Sequence, residues 1–212
     1  MATRPAFFIQ NGKVTRKDYD FTWIAGLSAS QKKKCALSLQ QAIRDADPGA
    51  VVLDVSTRSN HPLGVRMSAF NLKLDGFRLE NVFQSGKVFT DGGPFYDLLS
   101  VHPREAKHDP RLKTSGRLVS FRFRDADFPL EPITLYYDYI YIRAVRQTLS
   151  AEEMEELSQF THFTDIEFNP NKSINTQAKA AAELKLMLQM YGEIPEMDQE
   201  QFVQFHKEFV IV

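Results

Sequence analysis

Cysteine is nearly absent from this sequence, which has only Cys35 among its 212 residues. A single cysteine excludes an internal disulfide and any zinc site built from several thiolates. Histidine is also sparse, and its five positions lack the short spacings that a metal site usually shows. They are His61, His102, His108, His162 and His206. We therefore expect no metal centre and no need for an oxidising compartment.

Long hydrophobic runs are missing as well. Near the start, the apolar run Ala6–Ile9 is too short for a signal-peptide core or a membrane span. We expect a cytoplasmic protein without a membrane partner. Ten glycines and ten prolines form no repeat or low-complexity tract, and 43% hydrophobic residues suffice for one substantial core. The composition therefore predicts a single domain.

Basic and acidic residues almost balance over the whole chain, and the formal net charge is -1. The two parts of the chain differ, however. Residues 1–149 hold 22 Lys and Arg against 15 Asp and Glu, whereas residues 150–212 hold 4 against 12. Seven basic residues lie between Arg104 and Arg124. This stretch could attract phosphate, but from charge alone a solvated surface is the better interpretation, since such runs are common on surfaces that bind nothing.

Several helices and strands can be predicted from local signals. Ser28 and Gln31 form a capping box that predicts a helix over 28–47, and the β-branched run 50–55 is typical of a buried strand. A second amphipathic helix is predicted over 79–89, followed by the loop Asp91-Gly92-Gly93-Pro94. Alternation over 117–124 predicts a strand.

The second half is predicted to be more helical. The aromatic run 135–145 fits a helix or a strand by pattern, and we favour a helix. Ser150 and Glu153 cap an acidic helix, 173–191 is alanine-rich and helical, and the last twenty residues could form a short helix. The fold class predicted is α+β, mostly α-helical with a few short strands.

Four side chains of the predicted helix over 79–89 share one face: Glu80, Phe83, Gln84 and Lys87. Because Phe83 lies within this stripe, we expect the face to be partly buried. Burial lowers the pKa of a lysine and frees its lone pair for attack on an electrophilic carbon, whereas a carboxylate such as Glu80 raises that pKa. An ordinary salt-bridged surface stripe is the alternative.

A second set of carboxylates, Asp165 and Glu167, precedes a turn. These groups could act in acid–base catalysis or cap the following helix, and capping is the better default. Ser85-Gly86-Lys87 lacks the glycine spacing of a phosphate-binding loop, so we exclude that motif.

Several separated motifs, in order along the chain, resemble the NADAR superfamily, in particular the antitoxin branch associated with DarT-type DNA ADP-ribosyltransferase toxins. The motifs are Ser68-Ala69-Phe70-Asn71, Phe83-Gln84 with Lys87, Gly92-Gly93-Pro94-Phe95 with Asp97-Leu98, Glu105-Ala106-Lys107 with Asp109, Tyr137-Asp138-Tyr139, Thr164-Asp165-Ile166-Glu167-Phe168-Asn169-Pro170, and Ser173-Ile174-Asn175-Thr176-Gln177-Ala178. The matching stretches that contain these motifs run from Leu63–Leu72 to Phe163–Lys179, and together they span residues 63–179.

The resemblance implies a NADAR-like glycohydrolase domain over 1–192, with 193–212 as a C-terminal extension. It implies a cleft for ADP-ribose and hydrolysis of an N-glycosidic bond without cofactor or metal. Lys87 would attack the anomeric carbon and form a Schiff base, and Glu80 and Asp165 would be the acid and base, in either order. The substrate-binding residues implied are Ser68, Phe70, Asn71, Gln84, Gly92, Gly93, Phe95, Tyr96, Lys107, Asp109 and Asn175. For any one of the aromatic residues, core packing is an equally good interpretation.

Two departures from the family pattern bear on the substrate. Ile166-Glu167-Phe168 stands where a Trp-Gly pair is usual in the wider superfamily, which suits the antitoxin branch and disfavours cleavage of riboflavin-pathway intermediates. Lys179 stands where the branch more often has arginine.

The function predicted is removal of ADP-ribose from guanine in DNA, as antitoxin to a DNA ADP-ribosyltransferase. The partners would be ADP-ribosylated DNA and a cognate toxin, with Arg122 and Arg124 facing solvent and holding DNA. The alternatives are an N-glycosidase acting on a small free nucleotide or riboflavin-pathway metabolite, a non-catalytic binder of ADP-ribosylated DNA, and an immunity protein that occludes a toxin.

Overall fold

The computed structural model describes residues 1–26, 28–168 and 177–211. Its strands are β1 (Ala2–Gln10), β2 (Lys13–Phe21), β3 (Val52–Asp54), β4 (Lys73–Leu74), β5 (Phe77–Arg78), β6 (Lys87–Phe89), β7 (Leu118–Phe123), β8 (Ala126–Phe128), β9 (His162–Thr164) and β10 (Val210–Ile211). Its helices are α1 (Ala29–Ala46), α2 (Pro62–Arg66), α3 (Leu79–Ser85), α4 (Pro103–His108), α5 (Arg111–Thr114), α6 (Leu135–Thr148), α7 (Ala151–Ser158), α8 (Gln177–Tyr191) and α9 (Gln199–Phe209). A 3₁₀ turn spans Tyr96–Ser100. The predicted α+β class with a predominance of helix is confirmed.

The main sheet has the strand order β10-β2-β1-β9-β3. Strands β1 and β2 form an antiparallel hairpin of nine-residue strands, while β9 pairs antiparallel with β1 and parallel with β3. The turn is Asn11-Gly12, and both residues have positive φ, 53° and 73°. This dipeptide is a strong hairpin signal. The hairpin is absent from the elements expected from the sequence, although this dipeptide predicts it.

The predicted helix after Ser28 is confirmed as α1, with its capping box formed by Ser28 and Gln31. It packs on the main sheet through Cys35, Leu39 and Ile43, which are fully buried in a second, smaller hydrophobic cluster. The single cysteine is therefore a core residue.

One predicted helix is wrong in its second half. Helix α3 ends at Ser85, and Lys87–Phe89 form strand β6, paired with β7. The chain leaves the helix at Gly86, where a Cβ atom would overlap the hydroxyl of Tyr136 and the carbonyl oxygen of Arg122. Tertiary contacts with a strand and an aromatic helix therefore override the local amphipathic pattern.

The strand predicted over 117–124 is confirmed as β7, with one correction. Arg124 lies outside the strand at φ +53°, in the turn that leads to β8. The alternation that should align Arg122 with Arg124 is therefore interrupted. Phe121 and Phe123 do pack inward, against Tyr136 and Tyr139 of α6 respectively.

The helical second half is largely as predicted. The aromatic run forms α6, and Ser150 with Glu153 caps α7. The alanine-rich helix α8 is described from Gln177, so the predicted start at Ser173 lies outside the described residues. No helix among the described residues combines the length and the apolar character needed to span a membrane.

Helix α9 belongs to the main core, because Phe202 and Phe205 are buried in the same cluster as α6 and α8. Strand β10 then joins the main sheet beside β2. The predicted boundary at residue 192 stays a prediction, but the segment after it packs on the same core as the segment before it.

A buried charge cluster links α6, α8 and α9. The Lys179 ammonium group lies 2.6 Å from Asp138 Oδ2, 2.5 Å from Glu183 Oε1 and 3.0 Å from His206 Nε2. All four residues are almost completely buried. The ammonium group offsets part of the cost of burying two carboxylates, and the carboxylates raise the pKa of Lys179 against the effect of burial.

Replacing Lys179 should therefore destabilise the fold strongly. In Lys179→Met the two carboxylates lose their cation, and we expect the free energy of unfolding to fall by about 3–5 kcal/mol. Urea denaturation followed by far-UV circular dichroism measures the loss. Lys207→Met is the matched control, since Lys207 is exposed on α9 next to His206, and it should have almost no effect. Equal losses in the two variants would contradict a structural role for the cluster.

Candidate functional site

The amine of Lys87 is the centre of the candidate site. Its Nζ lies 5.0 Å from the centre of the Phe83 ring, on the aromatic face. Among the described residues it has no hydrogen-bond or ion-pair partner. Burial lowers the pKa of Lys87, Lys107 lowers it further, and Glu80 acts in the opposite direction. The neutral, nucleophilic form of the amine is therefore more favourable at Lys87 than at an exposed lysine.

Glu80 and Gln84 lie one turn apart on the side of α3 that faces Lys87. Gln84 Nε2 donates a hydrogen bond to Glu80 Oε1 at 2.8 Å, which fixes the carboxylate. Gln84 Oε1 is buried and accepts no hydrogen bond from any described residue. The predicted convergence of Glu80, Phe83 and Lys87 is thus observed, although Lys87 reaches it from a strand.

The glycine loop after β6 packs directly against Lys87. Gly93 has φ +86°, and a Cβ atom there would overlap the carbonyl oxygen of Lys87. The loop continues into Phe95, whose backbone N–H donates to Ser85 O at 2.9 Å and whose ring lies 4.5 Å from the Arg111 guanidinium. Glycine is therefore required at position 93 by both backbone angle and space.

Asp165 follows β9 and is buried. Its Oδ1 accepts hydrogen bonds from the backbone N–H groups of Glu167 and Phe168 at 2.9 and 3.1 Å, and its Oδ2 accepts from Gln177 Nε2 at 2.9 Å. Burial and the nearby Asp54 carboxyl nevertheless raise the pKa of Asp165 to about 8. Asp165 thus closes the turn that follows β9 and also keeps a proton at neutral pH.

Glu167 has a different environment. It is half-buried and receives hydrogen bonds from Lys32 Nζ at 2.8 Å and Thr57 Oγ1 at 2.6 Å. Despite burial, these donors hold the pKa of Glu167 below its usual range. Of the two carboxylates in this segment, Asp165 is the one suited to donating a proton.

The motif 68–71 approaches Asp165 through Gln177. Gln177 Oε1 accepts a hydrogen bond from Ala69 N at 2.6 Å while its amide nitrogen holds Asp165. Ser68 is fully buried, and its hydroxyl has no partner among the described residues. Phe70 is 62% exposed, and Asn71 donates to Val65 O at 2.7 Å. Asn175 lies outside the described residues.

Tyr137 is a residue of this site that the sequence analysis did not select. Its ring makes an edge contact with Phe83 at 5.7 Å between centroids, on α6 beside the buried Asp138. Burial, Asp165, Asp138 and Glu80 raise the pKa of Tyr137 well above its usual value, so the hydroxyl stays protonated. Within the motif Tyr137-Asp138-Tyr139, the packing of α6 on α3 decides that the Tyr137 ring contacts Phe83.

Comparison with known families decides the identity. The family model described as the DarT1-associated NADAR antitoxin matches residues 2–211. The chain belongs to this antitoxin family. No curated protein matches it. The resemblance seen in the motifs is thereby confirmed, and with it an antitoxin role and membership of a superfamily of N-glycosidase-like hydrolases.

Some predicted site residues of this NADAR antitoxin lie apart from Lys87. Tyr96 is 46% exposed, and its hydroxyl donates to the carbonyl oxygen of Arg124. Arg122 and Arg124 line the same small cavity as Tyr96, on the opposite side of α3 from Glu80. The assignments of these three residues stay predictions.

Two further predicted site residues, Lys107 and Asp109, lie in the stretch from Arg104 to Arg124. Lys107 is exposed on α4, close enough to Lys87 to lower its pKa. Asp109 forms an ion pair with Arg111, with Arg111 Nε 2.9 Å from Asp109 Oδ1. Arg111 also binds Asp97. The Asp109 carboxylate is therefore engaged within the protein, although its predicted role in substrate binding stays a prediction.

Within the described residues, one group of possible metal ligands comes together, formed by Asp138, Glu183 and His206. The Lys179 ammonium group lies among them and hydrogen bonds to all three. The Lys179 ammonium group thus takes the position that a metal ion would need. Lys179 is also buried, which argues against a phosphate contact at this position. Sequence reasoning missed this cluster because its members are far apart in the chain.

The raised pKa of Asp165 predicts that stability falls as pH rises. Asp165 ionises at about pH 3.9 in an unfolded chain and at about pH 8 in the folded protein, so its stabilising contribution is complete below about pH 4 and is lost by about pH 8. The free energy of unfolding, measured with urea at pH 5, 7 and 9, should decrease. Asp54 and Glu183, with pKa values raised to about 6 and about 7, act in the same direction.

Asp165→Asn isolates the contribution of Asp165. The asparagine places an amide against the Gln177 amide, so absolute stability will fall and only the pH dependence is compared. We expect a shallower decrease than in the wild type, with a remainder due to Asp54 and Glu183. Identical pH dependence in both proteins would show that Asp165 is ionised throughout.

Proposed function

We propose that this antitoxin hydrolyses the N-glycosidic bond between ADP-ribose and guanine in DNA, and so reverses a toxin's modification. The observation that carries the proposal is the half-buried Lys87 amine, which lies over the Phe83 ring near the Glu80 carboxylate, with Tyr137 packed against the same Phe83 ring. A protein that only bound modified DNA would have no need of an amine with a lowered pKa.

Lys87 is the nucleophile. Its neutral amine attacks the anomeric carbon, the bond from that carbon to the guanine nitrogen breaks, and the base leaves with a proton from a neighbouring acid. Loss of a proton from nitrogen and opening of the ribose ring give a Schiff base. Water then adds to the Schiff base and ADP-ribose is released, which regenerates the amine.

The two carboxyl groups are assigned by their environments. Asp165 is the proton donor, because its pKa of about 8 keeps it protonated at neutral pH. Glu80, half-buried and held by Gln84, is the base that activates water. The Tyr137 hydroxyl, which stays protonated, donates a hydrogen bond to the ribose.

Two buried polar atoms support an ADP-ribose site beside these groups. Ser68 Oγ and Gln84 Oε1 have no partner among the described residues, and buried polar groups without partners are costly. A bound ligand with hydroxyl groups would satisfy both. The backbone of Gly92 and Gly93, which packs on Lys87, is a candidate contact for the diphosphate.

A second candidate substrate is a small free nucleotide. One observation favours it: Arg122 and Arg124 are ion-paired with Asp127 and Asp75, so the positive charge expected for DNA binding is partly neutralised. The two substrates are distinguished by comparing release of ADP-ribose from ADP-ribosylated guanosine and from ADP-ribosylated single-stranded DNA. A preference for DNA supports the antitoxin reaction, whereas equal rates favour the free nucleotide.

Lys87→Ala should lower turnover of ADP-ribosylated guanine DNA by at least about 10³-fold, since no neighbouring group can replace the nucleophile. Borohydride reduction of a wild-type reaction should trap a covalent adduct, which mass spectrometry would locate on Lys87. The matched control is Lys113→Ala, an exposed lysine of α5, which should retain both activity and adduct. Near-normal rates in the Lys87→Ala variant, or a reduced wild-type reaction without adduct, would rule out the Schiff base.

Chelation should leave the activity unchanged, because the proposed steps use only an amine, carboxyl groups and water. The test is turnover of ADP-ribosylated DNA before and after dialysis against EDTA. An activity that is lost in EDTA and restored by an added divalent metal would contradict the proposed chemistry.

A further inference from the structure

A small cavity lies on the side of α3 that faces away from Lys87. Its volume is about 200 Å³, and its walls are mainly apolar, formed by side chains such as Leu74, Val82, Leu99 and Phe123. Ligand pockets for whole nucleotides or drug-sized molecules are usually about 300–1,000 Å³. The size of this cavity suits a single flat ring system.

Two aromatic side chains at the cavity are unusually exposed. Phe77, next to the tight turn between β4 and β5, is 39% exposed, and Tyr96, at the start of the 3₁₀ turn, is 46% exposed. In proteins that bind single-stranded nucleic acid, exposed aromatic rings are the platforms on which unpaired nucleobases stack. The exposed rings of Phe77 and Tyr96 therefore suit a stacked nucleobase.

Two arginines at the same cavity are ion-paired and still have unpaired N–H donors. Arg122 binds Asp127 through Nε and Nη2 at 2.6 and 2.9 Å, which leaves Nη1 without a partner among the described residues. Arg124 binds Asp75 through Nη2 at 2.7 Å, which leaves Nε and Nη1 similarly unpaired. These unpaired N–H groups are of the kind that bind phosphate oxygens.

The cavity is connected to the Lys87 site by only a short piece of backbone. Val82 and Ser85 face the cavity, whereas Glu80 and Gln84, on the opposite side of the same helix, face Lys87. Only Gly86 separates Ser85 from Lys87, and Gly86 O accepts a hydrogen bond from Arg122 N at 2.7 Å. Two residues of chain span at most about 7 Å. The backbone of Lys87 therefore lies within about 7 Å of the cavity wall at Ser85, and a strand that passes around α3 would bring a neighbouring nucleotide to the cavity.

We infer that this cavity binds the unstacked nucleobase next to the modified guanine, with the phosphate between the two held by Arg122 and Arg124. The inference rests on the proposed function, because it needs a DNA strand as substrate. A toxin side chain is the competing occupant, but an apolar side chain would not use the unpaired arginine donors.

The test compares ADP-ribosylated guanosine with a single-stranded oligonucleotide that carries one ADP-ribosylated guanine. Phe77→Ala and Arg124→Gln should each lower kcat/KM on the oligonucleotide by about 5- to 100-fold and leave kcat/KM on the nucleoside unchanged. Arg16→Gln is the matched control, since Arg16 is 42% exposed and forms a similar pair with Asp18 at 3.0 Å on β2. It should change neither value.

A second arm identifies the nucleotide. Oligonucleotides with an abasic residue on the 5′ or the 3′ side of the modified guanine are compared with the intact strand. One of the two should lower wild-type kcat/KM as much as Phe77→Ala does, and Phe77→Ala should cause no further loss on that substrate. Independent, additive losses would show that Phe77 does not contact the missing base.

Several results would overturn the inference. If Phe77→Ala and Arg124→Gln lower kcat/KM equally on both substrates, these residues act in the catalytic site or in the fold. If kcat/KM is unchanged on both substrates, the cavity does not bind the DNA strand. Weaker toxin binding with unchanged DNA kinetics would make the cavity a docking site for the toxin. If wild-type protein releases ADP-ribose from neither substrate, the proposed function fails. In that case, equal affinities of Phe77→Ala and Arg16→Gln for the unmodified oligonucleotide, by fluorescence anisotropy, would overturn the cavity assignment too.

Discussion

A single buried ammonium group holds together the helical half of this protein. Lys179 lies in the first turn described for α8, a helix whose first eight described residues are all buried, and it binds Asp138 on α6 and Glu183 one turn further along α8. His206 brings α9 to the same point. Burying two carboxylates without this cation would cost several kcal/mol for each ion. The positions of all three helices therefore depend on one set of short contacts.

The candidate catalytic groups are attached to those same helices. Tyr137 immediately precedes Asp138, so its ring is directed against Phe83 by the anchoring of α6. Gln177, two residues before Lys179, hydrogen bonds to both Asp165 and the backbone at Ala69. The buried cluster thus fixes groups from three separate segments around the site without itself contacting Lys87. Such support is what a catalytic arrangement requires, because small displacements of reacting groups are costly in rate.

Helix α3 separates two kinds of chemistry although it is only seven residues long. One side carries Glu80 and Gln84 toward a poorly solvated lysine, where burial changes the pKa. The other side carries Val82 and Ser85 toward an open, mainly apolar cavity edged by ion-paired arginines. The Lys87 site and the cavity therefore share one short helix as a common wall.

The sequence by itself determined the features that depend on neighbouring residues: the caps at Ser28 and Ser150, the helix of aromatic residues and the ordered family motifs that name Lys87 and Asp165. The dipeptide Asn11-Gly12 likewise specifies the hairpin of β1 and β2. Only the tertiary structure decided that Lys87 enters from a strand, that Tyr137 packs against Phe83, that Arg124 leaves the strand, and that Lys179 is buried. Caps and periodicity arise from contacts three or four residues apart. Burial and its effect on pKa arise from contacts such as Lys179 with Asp138, 41 residues away, which no local pattern specifies.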